Sequence, residues 1–528
     1  MFLKAAVLLG LSAGVSASRG HDQNSTFYNP IFPGFYPDPS CIYVPERDNT
    51  FFCASSSFNA FPGIPIHASK DLQNWKLIGH VLNRKEQLPR LAETNRSTSG
   101  IWAPTIRFHD ETFWLVTTLV DDDRPQSDSS RWDNIIFKAK DPYNDKSWSN
   151  AIHFNFTGYD TEPFWDEDGK AYITGAHAWQ VGPYIQQAEV NLNTGVVGEW
   201  HIIWNGTGGM APEGPHIYHK DGWYYLLAAE GGTGVNHMVT MARSKKLTGP
   251  YESHPGNPVL TNANTTNLFS WPKGEWPTFT PISGEMSGWP MPRPDKNIRG
   301  VGPFVNSPDL EEEHLTFPPN QPLPAHLTHW RFPIPASYTP SPPPHPHTLR
   351  LTSSRLNLTA LNGNYAGPAG QTFVARRQQH TLFAFRTTLA FAPAVAGEEA
   401  GVTAFLTQNH HLDMGVVLLP RGATGTVPSL PGVKADEGEG EGREGEEELV
   451  PHVRFRAESY VPVPRATAYA LPAAWTRGGG KLVLEIRACN ASHYAFSVGP
   501  EGRRSEMRLV MEVGNEGIFY NASNEDAV

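Results

Sequence analysis

The sequence predicts an all-β protein, a β-propeller followed by a β-sandwich. Three observations carry this. The 528 residues include 48 Gly and 47 Pro, a turn-rich composition that speaks against a helical bundle. A strand–turn–strand pattern recurs four times, at a period of about 50–60 residues. After the repeats come strand-like runs of alternating polarity that lack the acids of the repeat.

Residues 1–18, MFLKAAVLLGLSAGVSAS, combine a Lys, a short apolar run and a small-residue end at Val15-Ser16-Ala17. This is the pattern of a signal peptide and predicts a secreted, extracellular protein. Eight N-x-S/T sequons, at Asn24, Asn95, Asn155, Asn205, Asn264, Asn357, Asn490 and Asn521, agree with that and predict N-glycans. No later run approaches the roughly 20 apolar residues of a membrane span. The formal charge of -11 speaks against nucleic acid and anionic membranes as partners. Cys41 and Cys53 flank a predicted hairpin and can pair in an oxidising compartment, leaving Cys489 over. Three cysteines make neither a disulfide scaffold nor a zinc site.

The propeller is predicted over residues 27–295. Its four units open with PDPSCIYVPERDNTFFCASSS, APTIRFHDETFWLVTTLV, DTEPFWDEDGKAYITGA and PEGPHIYHKDGWYYLLAAEGG. Each is a short apolar strand, a turn and an aromatic strand, the turns lying at Asp48-Asn49, Asp110-Glu111, Asp168-Gly169 and Asp221-Gly222. Each unit has a second half with two further short strands, such as IPIHASKDLQNWKLIG and MVTMARSKKLTGPYESH. Four strands per unit make a blade. The next turn is due near 275–280, but NLFSWPKGEWPTFTPISG does not carry the pattern, and the count stops at four. Residues 296–325 read as a Pro-rich linker and 326–528 as the sandwich. The acidic, Gly-rich insertion 434–449 is predicted to be disordered, and its acids lack the ordered spacing of a cation site.

In GFYPDPS, Asp38 stands between Pro37 and Pro39. Each proline fixes its own φ and pushes the residue before it toward extended backbone, so Tyr36 and Asp38 are expected on stiff, extended chain that holds the carboxylate in one place. In a propeller the innermost strands of all blades start at the same end of the central channel. Asp38, Asp160 and Glu213 each lie at such a start, and Trp102, in GIWAPT, lies there in the second unit. Converging carboxylates suit glycoside hydrolysis, in which one must donate a proton and another activate water or attack the sugar. Crowding of like charges raises one of their pKa values. Phe35, Tyr36, Phe61, Trp102 and Trp165 offer flat surfaces for sugar rings, although for each taken singly core packing is the commoner role.

The motifs NPIFPGFYPDPS, GIWAPT, GYDTEPFWDEDGK and APEGPHIYHKDGWYYLLAAEGGTG resemble glycoside hydrolase family 43. The resemblance is strongest to its β-xylosidase and α-L-arabinofuranosidase branch, which carries a C-terminal β-sandwich. It spans about residues 27–510. It implies a five-bladed propeller, an inverting mechanism, no required cofactor, and terminal xylose or arabinose of hemicellulose oligosaccharides as substrate. Asp38 matches the family's general base, Glu213 its general acid, and Asp160 the third carboxylate that orients the acid and tunes its pKa. Trp102 and the PGIPIHASKDL segment would line the pocket for the terminal pentose.

Two departures stand against it. The family follows its fourth blade with a Gly-His-Ala/Ser-Asp-Leu motif and then a Gly-Arg-Glu motif, whereas here Phe269-Ser270 runs directly into Trp271. The resemblance places that His in the channel near a bound metal such as calcium, and that Arg opposite the substrate. An incomplete fifth blade is therefore expected, and a structural calcium lacks its expected His. The end, GNEGIFYNASNEDAV, lacks the closing strands expected of the sandwich. These gaps motivate a second reading, a carbohydrate-binding protein without catalysis, or an inactive chain. A fructan-cleaving enzyme is disfavoured, because such enzymes set a nucleophilic Asp in Asn-Asp-Pro-Asn and Asp38 lies in Pro-Asp-Pro-Ser.

Overall fold

Each of the four repeats folds into one antiparallel sheet. The computed structural model describes residues 32, 35–72, 74–233, 236–261, 263, 285–286, 289–290, 313–360, 370–380, 382–423, 425–427, 429–433, 448–490 and 492–515. Blade 1 consists of Ser40–Val44, Thr50–Ala54, Gly63–Ser69 and Trp75–Leu82, hydrogen-bonded in that order. Blade 2 is Gly100–His109, Thr112–Val120, Trp132–Ala139 and Ile152–Phe154. Blade 3 starts with Gly158–Trp165, Ala171–His177 and Ile185–Asn191, and blade 4 with Glu213–Lys220, Trp223–Glu230 and Met238–Ser244. Two short outer strands complete each of these last two sheets.

Local chemistry sets the hairpins. Asp110 and Glu111 have φ of 48° and 55°, and Asp221 and Gly222 have 52° and 70°. Two successive positive φ angles give the tight turn whose twist matches that of the flanking strands, and Asp and Gly tolerate them best. Apolar residues then fill the layers between blades. Phe52, Ile66, Leu82, Ile106 and Phe137 lie in the layer of blades 1 and 2. Val116, Ile136, Ile173 and Ala188 join blades 2 and 3, and Ile185, Ile203, Leu226 and Ala242 join blades 3 and 4. The first strands of neighbouring blades touch one another, so they are the innermost. Cys41 and Cys53 face each other across blade 1 as a disulfide, and Cys489 is an exposed thiol.

The C-terminal half is a sandwich. One sheet holds Ala384–Leu389, Leu482–Ala488, His493–Pro500 and Arg508–Gly514. The other is built mainly from Glu399–Thr407, His410–Pro420 and Leu449–Glu458. Met414, Val416, Phe455, Leu484, Ile486 and Phe496 meet between them.

The halves are stitched together. Leu327–Trp330 pairs on one side with Ala375–Arg376 and on the other with Ala60–Phe61, a short strand within blade 1's connecting loop. The Arg331 guanidinium, buried at this joint, donates to Asn59 Oδ1 at 2.8 Å, to the Thr94 carbonyl at 2.7 Å and to Gln408 Oε1 at 3.3 Å. The predicted signal peptide, the junction at Ser270 and its expected fifth-blade residues, the first part of the linker, most of the acidic insertion and the chain after residue 515 lie outside the described residues.

Candidate active site

The first strands of blades 2, 3 and 4 share one irregularity. Their pairing breaks between Trp102 and Thr105, between Tyr159 and Glu162, and between Glu213 and His216. A bulge of this kind bends the strand and re-aims a side chain. Asp160 has φ of 52° and Gly214 of 57°, each inside its bulge, and Asp38, two residues before blade 1's first strand, has φ of 52°, left-handed and not the extended backbone expected from its flanking prolines. Asp is among the few residues that adopt this left-handed conformation readily. The kink thus presents an acid in blades 3 and 4, at the same end where Asp38 precedes blade 1 and where the kink of blade 2 carries Trp102. Blade 4 varies it by placing Gly at the kink and the longer Glu213 one residue earlier.

The acids are tied to each other across blades. The Gly214 amide donates to Asp160 Oδ2 at 2.9 Å, and the Tyr159 hydroxyl donates to Glu213 Oε2 at 3.0 Å. Asp38 accepts from the Ser56 hydroxyl and from the Ala103 backbone. Asp38 keeps an exposed face, while Asp160 and Glu213 are half-buried, so all three line a recess open to water. The protein packed round it pushes the Glu213 carboxyl up to about 7; Tyr159 opposes this and the Asp38 charge adds to it. Burial likewise raises Asp160 well above the usual carboxylate range, reinforced by the charges of Glu213 and Asp38 and opposed by the Gly214 amide. Burial raises Asp38 too, but Ser56, the charge of His237 and Ala103 all pull it back. Asp160 and Glu213 therefore compete for a proton that stays with the pair up to about neutral pH, and Asp38 has the environment most favourable to charge.

A second acidic centre lies deeper. Glu162, two residues beyond Asp160, is fully buried, forms an ion pair with Arg107 of blade 2, accepts from the Ile217 amide of blade 4 at 2.6 Å, and lies 3.4 Å from His216 Nδ1. Burial alone would raise its pKa, but Arg107, His216 and Ile217 hold it below the usual value. Among the described residues no group of three or more His, Cys, Asp and Glu side chains is arranged to hold a metal ion.

The predicted aromatic residues divide. Phe35, 38% exposed and stacked on Phe58 at 6.0 Å, lies three residues from Asp38 at the acid end. Trp102 is there too, edge-on to Tyr159 at 5.9 Å, with its indole N–H donating to the Thr98 carbonyl at 2.8 Å. Phe61 is only 8% exposed and packs edge-on against Phe332 at 4.9 Å in the core near the interdomain joint. Trp165 is not brought to the acids. It ends an eight-residue strand, about 16 Å of extended chain beyond Asp160. There it stacks on His109 at 4.5 Å, at the far end of the neighbouring strand.

Sequence reasoning missed Tyr159, Ser56, His237 and the Arg107–Glu162–His216 group. Ser56 and His237 follow the second strands of blades 1 and 4, which return antiparallel to the acid end. The runs SSS and EGGTGVNH just after those strands were the available signal. His237 donates through Nδ1 to the Gly232 carbonyl at 2.7 Å, which fixes its tautomer.

The profile of Glycosyl hydrolases family 43 matches residues 27–276, and that of the β-xylosidase C-terminal concanavalin A-like domain matches 316–458. A xylosidase/arabinosidase of Humicola insolens is 32% identical over 407 residues, 71% of this chain and 74% of that protein. A non-reducing-end α-L-arabinofuranosidase of Bacteroides ovatus is 31% identical over 455 residues, 77% of this chain and 78% of that protein. Among solved structures, a xylan β-1,4-xylosidase of Bacillus halodurans aligns with a TM-score of 0.72 at 25% identity, covering 93% of each chain. The fold is accordingly of the five-bladed propeller type with a C-terminal sandwich, and among the described residues four blades are seen. With both halves matched and the similarity running through them, the chain belongs to glycosyl hydrolase family 43 and is a glycosyl hydrolase.

Proposed function

We propose that this hydrolase is secreted, acts from the chain end, and removes terminal xylose or arabinose from xylan- and arabinoxylan-derived oligosaccharides with inversion at the anomeric carbon. The observation that carries the reading is the meeting of Asp38, Asp160 and Glu213, from three blades, around one water-open recess. Glu213 gives its proton to the leaving oxygen. Asp38, held by Ser56 and the Ala103 backbone, takes a proton from the attacking water. Asp160 holds the Gly214 amide beside Glu213 and shares the proton of the pair with it, while the charge of Asp38 helps to keep Glu213 protonated. Inversion requires the two working carboxyls about 6.5–9.5 Å apart, with the water between them. Phe35 and Trp102 flank the recess as surfaces for a pentose ring. The names of the two relatives support a pentose. The N-terminal segment and the sequons motivate secretion and N-glycosylation.

The reading is tested by hydrolysis of aryl β-D-xylosides and α-L-arabinofuranosides, with the first-formed anomer read by proton NMR. The wild type should release an inverted pentose, and Glu213→Gln and Asp38→Asn should each lose activity by orders of magnitude while staying folded. Full activity in either variant removes its assigned role, and a retained anomer removes inversion. The second reading, carbohydrate binding without catalysis, rests on the missing Gly-Arg-Glu motif. Calorimetric binding of xylo-oligosaccharides with no pentose released would favour it.

A further inference from the structure

Tyr159 is a fully enclosed phenol whose one polar atom points at the acid. It is 3% exposed. Its ring lies flat on Trp132 at 5.3 Å and meets the edge of Trp102 at 5.9 Å, both from blade 2. The hydroxyl crosses to blade 4 and donates to Glu213 Oε2 at 3.0 Å. The next residue, Asp160, accepts from the Gly214 amide. Two successive residues of blade 3 therefore hold the start of blade 4, Tyr159 by the Glu213 carboxyl and Asp160 by the amide of the next residue, Gly214.

We propose that Tyr159 is a positioning residue for Glu213, fixing which carboxyl oxygen carries the transferable proton and stabilising the carboxylate left when the proton departs. The inference rests on the reading of Glu213 as the proton donor. A phenol donating to Oε2 leaves Oε1 to hold the proton and face the leaving group. As the proton moves to the glycosidic oxygen, negative charge grows on Glu213, and a hydrogen bond to a charged acceptor is about twice as strong as one to a neutral acceptor. The contact is thus stronger in the transition state than in the ground state, the condition for an interaction to accelerate a reaction. The clamp of Trp132 and Trp102 fixes the phenol beforehand, so no reorganisation is needed when the charge appears. The proton passes from Glu213 to the leaving oxygen as the glycosidic bond breaks, and Tyr159 keeps its own.

The test compares wild type with Tyr159→Phe, which keeps the ring and its packing. The proteins are labelled with ¹³C-glutamate, and the Glu213 carboxyl signal, assigned by its loss in Glu213→Gln, is followed against pH. Loss of the donor should raise the Glu213 midpoint by about one pH unit. A parallel series of aryl glycosides should lose about tenfold or more in kcat with poor leaving groups and little with activated ones, which need no acid. An unmoved midpoint, or a loss equal for all leaving groups, overturns the proposal. Should Tyr159→Phe not fold, 3-fluorotyrosine at this position keeps the shape, makes the hydroxyl more acidic, and should lower the midpoint instead. Full activity of Glu213→Gln on poor leaving groups would defeat the reading of Glu213 itself, and a moved midpoint would still establish the contact.

Discussion

Asp38 meets two demands that few side chains meet together, a positive φ and a carboxylate at the channel end. Asparagine tolerates the same backbone and fills the same space. Asp38→Asn should therefore leave Tm within a degree or two, while kcat falls by about 10²–10⁴ with the loss of a general base. Glu213 allows a sharper test, because its folded-state pKa of about 7 lies above its unfolded value of 4.5. Between these values the folded chain holds more protons than the unfolded one, so this group's contribution to stability falls as pH rises through that window. Glu213→Gln removes the group. It should raise Tm relative to wild type at pH 8 and leave it nearly unchanged at pH 4, as differential scanning calorimetry can check. The wild-type rate should decline as pH rises past about 7, when the proton is lost. A variant whose Tm difference does not change with pH would contradict this assignment.

At the scale of elements, the interfaces between blades combine apolar layers with a few polar pins. Asn134, fully buried in blade 2, donates to the carbonyls of Phe156 at 3.0 Å and Gly158 at 3.1 Å, and accepts from Thr118 at 2.8 Å. It holds the entry to the strand that carries Tyr159 and Asp160. Asn134→Ala leaves two buried carbonyls unmatched and should cost about 2–4 kcal/mol in urea unfolding, with a fall in kcat as the strand start loosens. The blades were legible in the sequence because their signals are local. Asp221-Gly222 declares its turn within two residues, and the acids stand at the strand starts that such turns count out. Trp165 misled because closeness in sequence to Asp160 says nothing of the length of strand between them. Tyr159 was hidden for a different reason. In a repeat full of buried aromatics nothing distinguishes the one whose hydroxyl crosses to the next blade. The Arg107–Glu162–His216 group was illegible because its members come from three blades and meet only in the channel.

At the scale of the whole molecule, Arg331 joins blade 1 to the sandwich. It draws on Asn59 and Thr94 on one side and Gln408 on the other. Arg331→Met keeps most of the volume and removes the charge and its donors. It should cost about 3 kcal/mol and split a single calorimetric transition into two, as the halves lose their coupling. One unsplit transition at an unchanged Tm would show that the joint is not held by this residue. The strand Leu327–Trp330 has a further consequence, one of timing. Its partner Ala60–Phe61 leaves the ribosome about 270 residues earlier. At about 5–20 residues per second that is a wait of roughly 15–50 s. Throughout it, the loop of blade 1 presents an unmatched backbone edge in the crowded environment of synthesis. The nascent amino-terminal half is thus finished only by residues that follow it, and a chain halted before residue 327 leaves the ribosome with that edge still open.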